Sequence, residues 1–516
     1  MDDGWEEGDT GMAVRSGVAI PVVVESGDGA KLKANTLTLW DSTVIAVTST
    51  APAYSVAASM FLMIGKVGLA APAAILISFA PVLGIAIAYF YLNRANPNCG
   101  ASYVWLTQAM GPWMGWFTGW VQVATNAFFL VTASALAGIN TLAFLNSLGW
   151  IGAAAAGSVW LTAAVSVLWF FFVAALTIIG VQVAARFQAI MLTIEYVALA
   201  AFSVLALARV ATTHPKGSTP FSWQWFNPLS IHGTDALAAG AVIAVFFFWG
   251  WDTAANVNEE TKDTHLTPGR AGMIGMVVLL FIFLLSSSAM QALLPRTTIQ
   301  NQGANALQYF ADQLVPAPWS YVMLLAILSS TVATLQTTLL PATRLTLSMA
   351  RDGVWPRAFA VIHARYRTPV IGTLILTAIT VVGLVLSTLS PSVNQTLNNL
   401  TNNIGVLVGF YYGITGIACA WYFRRTLRRS LVSLVFTGVA PLLGGVFLIW
   451  IGYQVVIQGQ QAGGWSVVLP VLVVGVFGVP LAVVARLYNP RYFTRRARAY
   501  DPGGETLETT ARVAEA

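Results

Sequence analysis

The stretch VFFFWGWDTAANVNEETKD, Val245 to Asp263, decides how this chain is read. It continues an apolar run of membrane length, yet Trp249, Gly250, Trp251 and Asp252 interrupt that run halfway. A glycine beside an acid at bilayer depth weakens a helix and costs desolvation. Such breaks persist mainly where the freed backbone lines a ligand-filled cavity. The stretch therefore reads as one half of a substrate site inside a membrane.

Composition supports that setting. Hydrophobic residues make up 57% of the chain and charged ones 9%, with a mean hydropathy of +0.72. So much apolar surface cannot be hidden in a water-soluble core, and an all-α integral membrane protein follows. Each crossing takes about 20 mostly apolar residues. Twelve stretches qualify, near 38–64, 68–92, 115–143, 156–180, 187–208, 236–258, 271–294, 318–346, 370–389, 398–423, 431–457 and 465–487. The first and the sixth carry polar or helix-breaking residues in mid-span.

An even number of spans puts both termini in one compartment. On this assignment only Lys66, Arg209, Lys216 and Arg296 fall on the opposite side, leaving 22 of the 26 Lys and Arg with the termini. By the positive-inside rule that side is cytoplasmic, so the protein is expected in the plasma membrane with both tails inside the cell. The net charge of +6 is thus explained by sidedness, with no nucleic-acid partner. The acidic opening MDDGWEEGDT lacks a basic region followed by an apolar core and is not a cleaved signal peptide. Residues 1–33 read as a cytoplasmic tail, as do 488–516. Two cysteines, Cys99 in a loop and Cys419 within a span, supply neither a disulfide framework nor a metal cluster. His214, His232, His265 and His363 fall in loops or at span ends, and no cofactor or metal site is expected.

The two interrupted spans stand five apart, and five is odd, so a second copy of a five-span unit enters the membrane from the other side. That is the arithmetic of an inverted repeat whose broken helices meet at the bilayer midplane. It divides the chain into 34–208 (spans one to five), a loop 209–235, 236–423 (spans six to ten) and 424–487 (spans eleven and twelve). The first break, Thr48-Ser49-Thr50-Ala51-Pro52-Ala53, lies inside LWDSTVIAVTSTAPAYSVAASMFLMI. Pro52 has no N–H and clashes with the carbonyl four residues back, so the helix kinks or opens there. Taken alone this is equally a proline kink packed against neighbours; its pairing with the sixth-span break favours a site.

FFFWGWDTAANVNEETKDTHLTPGRA resembles the amino acid–polyamine–organocation permeases in its aromatic, Gly, aromatic, Asp pattern, its Glu-Glu pair and its Pro-Gly-Arg-Ala entry to span seven. LPATRLTLSMARDGVWPRAFAVIHARYRTP is similar to that family's basic loop after span eight, and NPNCGASYVWLTQAMGPWMGWFTGW to its short helix before span three. The resemblance implies a leucine-transporter-like fold of two inverted five-helix repeats plus two extra helices. It also implies secondary active transport of an amino acid or related amine, with no enzymatic activity. Relatives carry Gly-Ser/Thr-Gly at the first break, where bare amides hold the substrate carboxylate; here the matching positions are Ser49, Thr50 and Ala51, and Pro52 removes one amide. On the same analogy Asn126 in span three and Tyr411 in span ten point toward the site.

The half-helix ends suit a zwitterion. Amides near Thr50 to Tyr54 present a positive dipole end to a carboxylate, and carbonyls around Phe247, Phe248 and Trp249 suit an ammonium group. The substrate-binding set is therefore Thr48, Ser49, Thr50, Ala51, Ala53, Asn126, Phe247, Phe248, Trp249, Gly250 and Tyr411. Phe248 and Trp249 are expected to gate the site while Phe246 packs against helices. Asp252 either pairs with a substrate cation or caps the half-helix that restarts at Thr253, and capping is favoured. Glu259 and Glu260 are expected to pair with Arg or Lys in neighbouring loops. Glu195 is the one acid deep in an unbroken span, a placement that costs about 2.5–3.5 kcal/mol if charged. Proton-coupled relatives often carry a lysine there. Glu195 is read as the proton-coupling group, the alternative being a structural acid. Ser329, Ser330 and Thr331 offer oxygens for sodium instead, although hydroxyls in membrane helices usually bond their own backbone. Within transport, a polyamine or amine importer or an exchanger is the second reading. A transporter-like sensor is the reading from a different class.

Overall fold

The computed structural model describes residues 31–231, 233–388, 393–463 and 465–501. His232 and most of both expected tails lie outside the described residues. Among those residues the chain is helical, with one isolated parallel bridge between Leu37 and Thr261 and no strands.

Among the described residues ten helical segments are long and apolar enough to cross a membrane, and Thr234–Phe247 is a shorter apolar helix. The difference from the twelve expected stretches lies at the two interrupted ones. Leu39–Ala95 forms one apolar segment of 57 residues, and the break cuts the sixth stretch down to a helix of 14 residues.

The elements that build the site are α1 (Leu39–Ser49), α2 (Pro52–Val67), α3 (Ala71–Ala95), α4 (Ser102–Met110) and α5 (Pro112–Ser147). They are followed by α6 (Val159–Ile179), α7 (Val181–Thr213), α8 (Thr234–Phe247), α9 (Thr253–Asn256), α10 (Thr267–Leu293) and α11 (Tyr321–Arg351). After these come α12 (Val370–Thr388), α13 (Val393–Tyr422), α14 (Ala440–Gly463) and α15 (Trp465–Tyr488).

The first break is built from its residues. α1 starts on a capping box in which the Thr38 hydroxyl accepts from the Asp41 N–H and the Asp41 carboxylate accepts from the Thr38 N–H. It ends at Ser49, and Ala51 turns the chain through a left-handed conformation with φ +47°. Pro52 then occupies the first position of α2, where its missing N–H costs nothing. The second break runs from Phe248 to Asp252, between α8 and the single-turn α9.

α11 is the central post. It packs on α5 and α7 and touches α1, α2 and α9. Its run of Ser and Thr is almost wholly buried, and Ser329, Thr331, Thr343 and Thr346 return their hydroxyls to carbonyls of their own helix. That makes a hydroxyl-rich helix compatible with a dry interior. On the far flank α3, α13 and α14 approach closely at Gly84, Gly416 and Gly444, where an added methyl would overlap a neighbouring backbone oxygen. Removing side chains at the crossing lets these backbones meet without a cavity.

Candidate functional site

The two breaks touch backbone to backbone. Gly250 has φ +115°, and a Cβ placed there would lie 2.5 Å from the Ser49 carbonyl oxygen, so both conformation and space demand glycine. Ser49 Oγ and Thr253 Oγ1 are 2.8 Å apart across the junction. Thr334 on α11 donates to the Ser49 carbonyl at 3.1 Å.

α11 adds an interruption of its own. Pro341 lacks the N–H that would bond the Thr337 carbonyl four residues back. That freed carbonyl accepts from Thr253 Oγ1 at 3.2 Å and from Ser49 Oγ at 3.5 Å. One proline thus supplies the acceptor that pins both half-helix junctions to the central post.

Beside this junction lies a narrow, mostly polar cavity. Of the residues singled out in the sequence, Ser49, Asn126, Trp249, Gly250 and Tyr411 line it, and so does Asp252. Gln122, Thr253, Asn256, Thr338, Pro341 and Leu345 complete the wall and escaped the sequence reading. Two of them were within reach of it: Gln122 sits one turn before Asn126 on α5, and Asn256 four positions after Asp252.

Several expectations change. Asp252 stands at the first position before α9 but makes no side-chain cap bond. Its Oδ1 instead accepts from the Tyr412 hydroxyl at 2.7 Å, because α13 brings that phenol closer than any amide of the four-residue α9. Thr48 and Thr50 direct their hydroxyls at the carbonyls of Val44 and Val47, and neither lines the cavity. Ala51 and Ala53 are buried away from it.

The aromatic rings pack differently from the expectation as well. Phe247 stacks on Phe283 with ring centroids 4.8 Å apart, and Phe248 packs against Phe79 and Phe283, so both face neighbouring helices. Phe246, expected to be mere packing, lies against Tyr54 and Trp249. Phe129 meets Trp249 edge-on at 4.8 Å and Tyr54 at 6.3 Å. Trp249 Nε1 donates to the Tyr411 hydroxyl at 2.6 Å, which fixes the indole as a wall of the cavity. Tyr54, Phe129, Phe246 and Trp249 form one aromatic cluster, of which Trp249 lines the cavity.

Glu195, fully buried on α7, faces the Ser330 hydroxyl and the Ala53 N–H of α2. Neither closes to a hydrogen bond with its carboxylate. Among the described residues no Lys or Arg forms an ion pair with it. The Tyr54 N–H donates to Ser330 Oγ at 3.2 Å. Thr331 donates to the Ile327 carbonyl and accepts from Asn140, so it belongs to the α5–α11 contact.

The basic face is clamped by charge pairs. Glu260 holds Arg344 through two contacts, 3.1 Å and 3.2 Å, with both side chains buried. Glu259 meets Arg351 at 2.9 Å and accepts the Cys99 N–H at 3.1 Å. Both arginines lie on α11 and not in loops, because that helix runs on to Arg351. Burial pushes the Glu259 carboxyl up, but Arg351 more than offsets it and holds the group below its ordinary value. Burial raises the Cys99 thiol well above its usual range. The parallel bridge adds hydrogen bonds from the Thr36 and Leu37 amides to the Glu260 carbonyl at 2.9 and 3.0 Å.

Paired helix breaks around a mid-helix cavity, set in a bundle of membrane-length helices, define a membrane transport protein. The chain belongs to the amino acid permease family, whose model matches residues 37–482. It is similar to the low-affinity putrescine importer PlaP of Escherichia coli, 22% identical over 394 residues that cover 74% of this chain and 81% of the importer. It is also similar to the methylthioribose transporter of Bacillus subtilis, 23% identical over 448 residues, covering 82% and 89% of the two chains. Human Asc-type amino acid transporter 1 is 25% identical over 426 residues, covering 80% of this chain and 76% of the transporter. This is an integral membrane transporter and not an enzyme.

Proposed function

We propose that the protein imports an amino acid or a related amine across the plasma membrane by alternating access, driven by the proton gradient. The carrying observation is the junction of Ser49, Gly250 and Thr253, where two interrupted helices meet beside a cavity walled by Asp252, Asn126 and Trp249. Such a junction lets each half-helix tilt without breaking the rest of its span. Counting Leu39–Ala95 as two crossings, and α8 with α9 as one, restores twelve spans in two inverted five-span repeats plus two. The concentration of Lys and Arg on the face of the termini supports cytoplasmic tails. The putrescine importer and the amino acid transporter among its relatives support a substrate range that spans amines and amino acids.

Proton coupling is assigned to Glu195. An unpaired carboxylate in a dry span is costly when ionised, so its charge state is tied to its surroundings. Those surroundings are the first turn of α2, which must move if span one rocks. Ser330 and Thr331 are engaged by Tyr54 and Asn140, which supports protons over sodium as the coupling ion.

Uptake into proteoliposomes, with labelled amino acids and amines under an imposed pH or sodium gradient, tests this reading. Acid outside is expected to drive accumulation, and Glu195→Gln to retain counterflow while losing pH-driven concentration. Concentrative, pH-dependent uptake in Glu195→Gln would show the coupling assignment to be wrong.

A further inference from the structure

A zwitterionic amino acid needs a partner for its ammonium group and another for its carboxylate. The expected carboxylate cradle is the set of amides at the first break, and the structure commits most of them elsewhere. The Thr50 N–H bonds the Val47 carbonyl and the Ala51 N–H bonds the Thr48 carbonyl, at 3.2 and 3.0 Å. Pro52 has none. In the first turn of α2 the Ala53 N–H faces Glu195, the Tyr54 N–H bonds Ser330 Oγ, and the Ser55 N–H bonds the Ala51 carbonyl. The positive end of this half-helix thus already faces a carboxyl group of the protein itself.

The cavity walls repeat the message. Among the described residues Asp252 is the one charged residue lining the cavity, and no Lys or Arg lines it. Tyr412 holds Oδ1 of Asp252. Around it stand the amide side chains of Gln122, Asn126 and Asn256, and the rings of Trp249 and Tyr411. Carboxylate, neutral amides and aromatic faces are partners for a cation. A substrate carboxylate a few ångströms from Asp252 would meet repulsion worth roughly a hundredfold in affinity, even with partial solvent screening.

We infer that the cavity takes an organic amine lacking an α-carboxylate, with its ammonium group on Asp252 and its far end among Gln122, Asn126 and Asn256. The inference rests on the reading of this cavity as the transport site, and it narrows the substrate class within that reading.

Decarboxylation pairs test it directly: lysine against cadaverine, ornithine against putrescine, and leucine against isoamylamine. Each pair differs by the α-carboxylate alone. Binding to purified wild-type protein is followed by ligand-induced thermal shift and intrinsic tryptophan fluorescence, and uptake in proteoliposomes. The amine of at least one pair is expected to bind at least tenfold tighter than its amino acid. Asp252→Asn keeps an acceptor for Tyr412 and is expected to weaken amine binding at least tenfold while retaining the wild-type melting temperature. Equal or tighter binding of the amino acids across all pairs overturns the inference and leaves the transport reading standing. Amine binding without any gradient-driven uptake overturns the transport reading and sustains the inference. If no member of any pair binds, both fall.

Discussion

Replacing Glu260 by glutamine removes one charge from a pair closed off from solvent. The side chains of Arg344 and Glu260 are 0% and 1% exposed, and the guanidinium spans both carboxylate oxygens. Arginine cannot shed its proton. Breaking such a pair by removing one partner costs about 3–5 kcal/mol, because a charge is left buried without compensation. Glutamine keeps the shape and one acceptor, which places the expected cost near the lower figure, about 3 kcal/mol. The closed arrangement bears that cost alone, since opening the basic face lets water reach Arg344. At about 1.4 kcal/mol per factor of ten, the opening equilibrium rises about a hundredfold. Cys99 is the reporter: its buried thiol lies 3.4 Å from the Arg344 carbonyl, and its amide bonds Glu259. Where closing outruns labelling, the modification rate follows the open population. In a Cys419→Ser background, Cys99 should react with N-ethylmaleimide about a hundredfold faster in Glu260→Gln than in the parent. Adding Arg344→Met removes the stranded charge and should return the rate to within about tenfold of the parent. An acceleration below about threefold in the single variant, or a double variant as fast as the single, refutes the idea that this pair holds the basic face closed.

Two substitutions probe the junction of the breaks. Gly250→Ala places a methyl against the Ser49 carbonyl at a backbone conformation that costs about 1–3 kcal/mol for other residues. Uptake should fall more than tenfold at unchanged membrane abundance, and wild-type uptake would show that the breaks do not need this contact. Pro341→Ala restores an N–H to the Thr337 carbonyl, which then competes with Thr253 and Ser49 for it at about 0.5–1.5 kcal/mol per hydrogen bond. The expected result is a severalfold rise in KM with no loss of thermal stability; an unchanged KM would remove Pro341 from the site.

What was legible in the sequence follows from how far each determinant lies from its consequence. Pro52 and Gly250 break helices by rules that act within one turn, so the two interruptions could be located without coordinates. Gln122 and Asn256 obey the same short-range geometry through Asn126 and Asp252. The choice between Phe246 and Phe248 could not be made that way. A helix that ends at Phe247 carries no periodicity forward, so the face each ring presents depends on Phe79, Phe283 and Tyr54 from other helices. Asp252 differs for a similar reason, since Tyr412 reaches it from a helix far along the chain.

The first break shows the limit most clearly. Its amides are where local rules put them, at the start of α2, with the dipole that attracts an anion. Whether they are free is a tertiary question, answered by Ser330 on α11 and Glu195 on α7. A carboxyl group supplied by the protein faces the Ala53 N–H, one of the amides that a substrate carboxylate was expected to take. The same contact therefore bears on both halves of the mechanism. If Glu195 must stay beside these amides for the outer half of span one to remain seated, protonating it loosens that half-helix. A substrate with its own carboxylate would then compete for the same amides. A cationic substrate bound at Asp252 would leave them to Glu195, so on the proposed reading binding and coupling use separate charges, Asp252 at the second break and Glu195 on α7 beside the first.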